Sequence, residues 1–168
     1  MSAPSPNALM TIPAYEHRQR SPRVLALFSV TGLGALTALW TFSGQLAAGP
    51  RLTLAASALV MFVAAIVFSS LTIRVGEDRL AWHFGRGVAA KSIPLAAIAR
   101  AEPTTTGLLE GWGMHLTTRG WLYNVAGRQA VLITLRDGRR FLLGSDETEA
   151  LTQAIRQRSS PTPSTTGP

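Results

Sequence analysis

Two patterns of apolar residues divide the chain. From Val24 to Pro50, and again from Leu52 to Ile73, no charged residue interrupts long apolar runs. From Leu71 onward the pattern alternates: Leu71, Ile73 and Val75, then Leu80, Trp82 and Phe84, stand between polar or small residues. Continuous runs of this length read as membrane-crossing helices, which need about 20 residues to span a hydrocarbon core about 30 Å thick. Strict alternation reads as half-buried β-strands.

The pattern predicts a first helix over 24–47 and a second over 52–70, with Gly49-Pro50-Arg51 as the break, since proline lacks an N–H and clashes with the preceding turn. So short a link makes the pair an antiparallel hairpin. The rival reading of the first run as a signal peptide fails on length, because a signal-peptide core is about 7–15 residues. Gly34 with Ala38, and Ala58 with Ala65, are small residues placed for close helix packing within the hairpin or between copies of it. Neither span carries an ionisable side chain, the usual mark of an ion or proton path, which argues against a channel or transporter.

Beyond the hairpin, 71–158 reads as a small β domain. Gly76-Glu77-Asp78 turns the first hairpin, a weaker strand runs from Val88 to Ile93, and a further strand covers Ile98–Glu102 before a loop over Pro103–Gly111. Strands follow at 112–117, 121–125 and 131–135. Asp137-Gly138 is the strongest hairpin signal in the chain. The last element changes period: Asp146 and Glu149 make a capping box, and Ala150, Leu151, Ala154 and Ile155 form a helical stripe, predicting a helix over 146–158. The segments 1–23 and 159–168, rich in Ser and Pro, read as disordered tails, the first of them cytoplasmic.

Composition then narrows the function. The 168 residues carry 16 Lys+Arg against 9 Asp+Glu, a net charge of +7, and no cysteine. Disulfides, thiol nucleophiles and cysteine–zinc sites are thereby excluded. The basic excess flanks the apolar runs: Arg18, Arg20 and Arg23 before the first, and Arg74, Arg79, Arg86 and Lys91 after the second, with Arg51 alone between them. By the positive-inside rule both termini lie in the cytoplasm. Arg74, Arg79, Arg86 and Lys91 are therefore expected near the inner leaflet, facing anionic lipid. No basic run interleaved with aromatics suggests nucleic acid.

Candidate chemistry is sparse. His17, His83 and His115 lack the converging partners a metal needs, and no serine sits in a nucleophile elbow. No catalytic residue, metal, cofactor or small-molecule substrate is expected. Trp112, Trp121 and Tyr123 fall on the apolar phase of their strands, which favours the core; the other reading is a stacking platform or partner groove.

About seven short strands followed by one helix, with Ser92-Ile93-Pro94-Leu95, Asp137-Gly138-Arg139-Arg140-Phe141 and Gly144-Ser145-Asp146-Glu147, resemble bacterial pleckstrin-homology-like domain membrane proteins, in the branch with an N-terminal two-helix hairpin. The resemblance, also carried by Gly120-Trp121-Leu122-Tyr123-Asn124-Val125, implies a transmembrane hairpin plus an α+β domain of two packed antiparallel sheets and a C-terminal helix. It carries over no catalytic residue. It implies a non-enzymatic module anchored in the bacterial inner membrane that binds a protein partner or lipid head group, or self-associates. The alternative is a subunit of a membrane enzyme or transport complex acting through its hairpin.

Overall fold

The structure, a computed structural model, describes residues 15–107 and 113–159. Helix α1 spans Pro22–Phe42 and helix α2 spans Ala48–Phe68. Each is long and apolar enough to cross a membrane. Ser21 caps α1, its Oγ accepting from the Val24 N–H at 3.3 Å, and Pro22 occupies the first turn. The link between the helices is 43–47, not 49–51. Gly49, Pro50 and Arg51 lie in the first turn of α2, where the missing proline N–H would have no helical partner in any case.

The helices meet along a narrow stripe. In α2 it runs through Leu54, Ala58, Met61, Ala65 and Phe68, alternate steps of four and three that stay on one face. Ala58 and Ala65 are buried there. Ala38 is half-buried, but Gly34 faces away from α2. The close-approach glycine is Gly32, where an added Cβ would stand 3.3 Å from Met61 and the Phe62 ring.

Four strands form the first sheet in the order β1-β2-β3-β4: β1 Tyr15–Arg20, β2 Ser70–Val75, β3 Arg79–Phe84 and β4 Val88–Pro94. Within it, β2 and β3 pair as the alternation predicts, Leu71 opposite Phe84 and Val75 opposite Leu80. Strand β1 corrects the expectation of a tail over 1–23. Tyr15–Arg20 pairs antiparallel with β2 throughout, from Tyr15 opposite Val75 to Arg20 opposite Ser70. The segment lacks aliphatic residues, so its stability comes from the ladder with β2 and from Tyr15, His17 and Gln19 turned inward. The ladder runs straight into the hairpin, with the Ser21 N–H donating to the Ser69 carbonyl at 2.8 Å. Hairpin and sheet thus join without a linker.

The second sheet has five strands, β5 Ile98–Thr105, β6 Gly113–Thr117, β7 Gly120–Asn124, β8 Gln129–Leu135 and β9 Arg140–Gly144, in the order β5-β8-β9-β7-β6. The described residues therefore hold nine strands rather than seven, and one pair, β7 with β9, is parallel. Strand β9 turns back from β8 at Asp137-Gly138 and inserts between β8 and β7, so β7 and β8 do not pair despite the tight turn between them. Pro103, expected in a loop, lies in β5; this is an edge strand, where a missing N–H is tolerated.

One core joins both sheets: Leu71, Ile73, Trp82 and Phe84 meet Tyr123, Ile133, Phe141 and Leu143. Helix α3, Thr148–Ser159, closes it with Leu151 and Ile155, both fully buried, while Ala150 is exposed. The helix starts two residues later than the capping box implies. The Glu147 carbonyl accepts its first hydrogen bond, from the Leu151 N–H, because Asp146 is engaged elsewhere.

Candidate functional site

The four basic residues expected at the membrane surface separate in the structure. Arg86 lies in the β3–β4 turn, which abuts the last turn of α2. Arg74 sits four residues along β2 from Ser70, about 13 Å at the usual strand rise, and its guanidinium is paired with Glu16 at 2.8 Å. Arg79 pairs with Pro94 beside the Glu77-Asp78 turn, at the end of the sheet away from α1 and α2, and donates to Ser92 Oγ. Lys91 stands opposite Trp82 and points to the second sheet, its Nζ donating to Tyr123 Oη at 2.8 Å. Counting residues from the span placed them together; the alternation of strand direction spreads them over both ends of the sheet.

The aromatic set also divides. Trp112 lies outside the described residues. Tyr123 is core, its ring 5.3 Å from Trp82. Trp121 is 45% exposed. Leu116, opposite it on edge strand β6, is more exposed still, so the apolar phase of this hairpin overhangs the core. Lys91 Nζ lies 5.8 Å from the Trp121 ring centre, a cation–π contact.

The helix-proximal end of the first sheet holds a cleft of about 500 Å³. Arg18 and Arg20 line it with Ser69 and Ser70 at the start of β2 and Ser21, Pro22 and Leu25 at the start of α1. Strand alternation puts Arg18 and Arg20 on one face, with Gln19 buried between them. Arg18 Nη2 donates to Ser70 Oγ at 3.1 Å. Among the described residues no acidic side chain lines the cleft. These residues were legible only as flanking charge; the alternation of Tyr15, His17 and Gln19 with Glu16, Arg18 and Arg20 is a polar pattern that the tail reading passed over. A second cleft, about 370 Å³ beside α3, also holds arginines, but they serve the fold. There, Arg136 and Arg156 donate to the Ala96 and Ala101 carbonyls, and Arg100 pairs with Glu102.

The acidic partners of a histidine are found at His17, which the tail reading set aside. Its Nε2 lies 2.7 Å from Asp146 Oδ1 and its Nδ1 3.3 Å from Glu147 Oε2, while Tyr15 Oη donates to Glu147 at 3.2 Å. Burial, and then the Glu147 charge, push the Tyr15 phenol well above its ordinary value. These contacts tie β1 to the start of α3. Among the described residues no group of three His, Asp or Glu is arranged to hold a metal.

Compared with known proteins, the chain matches no family model and no curated protein.

Proposed function

We propose that the chain is a non-enzymatic, membrane-anchored module. Its hairpin crosses the bacterial inner membrane twice, and its sheet domain, of pleckstrin-homology type, works at the cytoplasmic face on a lipid head group or protein partner. The observation that carries this reading is the bare hairpin. In each helix only 11% of the apolar window is buried, and Leu27, Val30, Leu33, Val60 and Ile66 stand open. Water-soluble monomers rarely expose contiguous apolar patches of more than a few hundred Å², whereas here both helices present apolar side chains along their length. Lipid is the solvent that suits them, and two helices of 21 residues match the hydrocarbon thickness.

The arginines support the orientation. Arg18, Arg20 and Arg23 stand at the sheet end of the hairpin with Arg86, against Arg51 alone at the other end. Because β1 and β2 pair up to the helix ends, the domain is held at a fixed height over the bilayer, which concentrates it with partners on the same membrane. The full chain, expressed in cells and fractionated, should sediment with membranes and resist high-salt and alkaline carbonate extraction. Recovery in the soluble fraction would contradict the anchoring.

A further inference from the structure

We infer that the cleft between β1 and the start of α1 binds the phosphate of an anionic phospholipid head group. The inference rests on the membrane-anchored reading and deepens it by naming a ligand class and a site. Three observations converge. First, among the described residues the cleft offers two guanidinium groups and no carboxylate. Guanidinium is the side chain best matched to phosphate oxygens, which it meets through paired N–H donors. Arg20 has no protein partner among the described residues, and Arg18 is already oriented by Ser70 Oγ, whose own hydroxyl hydrogen remains free to donate. Second, the volume of about 500 Å³ lies in the usual range of small-ligand sites and accommodates a phosphate with its glycerol.

Third, the cleft is amphipathic in the right direction. Its polar wall belongs to the sheet, and its apolar wall is Pro22 and Leu25, one turn up the helix that enters the bilayer. A lipid with its phosphate on Arg18 and Arg20 would lay its acyl chains along exposed Leu25 and onward into the hydrocarbon. The arginine-bearing cleft beside α3 differs on each count, because its guanidinium groups are spent on carbonyls and Glu102, and no residue of α1 or α2 lines it among those described.

Inorganic phosphate shares the oxyanion chemistry, so the experiment separates the two sources. The full chain, purified in mild detergent, is titrated with dioctanoyl phosphatidylglycerol, with dioctanoyl phosphatidylcholine, and with inorganic phosphate, and bound lipid is counted by native mass spectrometry. The wild type should take up one phosphatidylglycerol in preference to phosphatidylcholine, and inorganic phosphate should not displace it. Arg20→Gln should weaken binding about 5-fold and Arg18→Gln/Arg20→Gln about 30-fold. Arg139→Gln/Arg140→Gln, which removes the same charge at exposed positions at the far end of the domain, should leave binding unchanged. Equal affinity in Arg18→Gln/Arg20→Gln and wild type, equal uptake of the two lipids, or displacement by inorganic phosphate would each overturn the inference. Thermal unfolding of Arg20→Gln, an exposed position, guards against misfolding. Carbonate extraction keeps the readings apart: a wild type that stays integrated in the membrane but shows no preference for phosphatidylglycerol rejects the site alone, whereas loss of integration in the wild type rejects the anchoring.

Discussion

Gly120 holds φ at +113°, a region costly for any residue with a Cβ, and an added Cβ there would collide with the Arg140 carbonyl of β9. The parallel β7–β9 pairing depends on that absent side chain. Gly120→Ala should cost about 2 kcal/mol or more, read as a drop in thermal stability; an unchanged midpoint would refute the close approach. Tyr15 makes a different demand. Its raised phenol value means that the fold holds the proton more tightly than the unfolded chain does. The stabilisation is whole below the unfolded phenol value of about 10 and is lost as pH rises through and above it. Wild type should therefore lose stability on going from neutral pH to strongly alkaline solution, and Tyr15→Phe should lose less. Parallel loss in the two proteins would show that Tyr15 is not responsible. Neither residue announced itself in sequence, since Gly120 looks like any turn glycine and Tyr15 precedes the first apolar run.

Among the elements, those built on strong apolar periodicity were legible. The β2–β3 hairpin carries its register in Leu71, Ile73, Val75, Leu80, Trp82 and Phe84, all buried. The turn at Asp137-Gly138 and the buried Leu151 and Ile155 of α3 are of the same kind. Elements specified by their neighbours were not. Strand β1 has a polar sequence and exists because β2 offers it an edge, and β9 pairs in parallel with β7 because hairpin closure and Gly120 leave that slot open. The same cause displaced the candidate site. Arg18 and Arg20 could be read as topology signals, but their cleft requires β1, and residue counting alone put Arg79 and Lys91 beside the membrane. In the hairpin, composition suggested Gly34 where packing uses Gly32. Gly32→Leu should force α1 and α2 apart and weaken the hairpin by about 1–3 kcal/mol, measured by unfolding in detergent, whereas Gly34→Leu should have little effect. Equal sensitivity at both positions would contradict the packing stripe.

At the scale of the whole molecule, three contacts brace the joint between hairpin and sheet domain. The β1–β2 ladder continues to Ser21 and Ser69, Phe84 meets Phe68 edge-on at 5.5 Å, and Gly85 at φ +51° lets the β3–β4 turn approach the Ile66 and Val67 carbonyls. A Cβ at Gly85 would come within 3.1 Å of both oxygens. Such bracing holds the arginine-lined cleft at one depth relative to the helices, as a site on the lipid head groups requires. If the hairpin crosses a bilayer as proposed, residues 43–47 at its tip and the two sheets at its base fall on opposite sides. Because the chain has no cysteine, single cysteines report this cleanly. Ser43→Cys and Glu77→Cys, each in an exposed position, are labelled in intact cells with a membrane-impermeant maleimide. The account predicts labelling of Ser43→Cys from outside, and of Glu77→Cys only after permeabilisation. Labelling of Glu77→Cys in intact cells, or equal labelling of both, would contradict it.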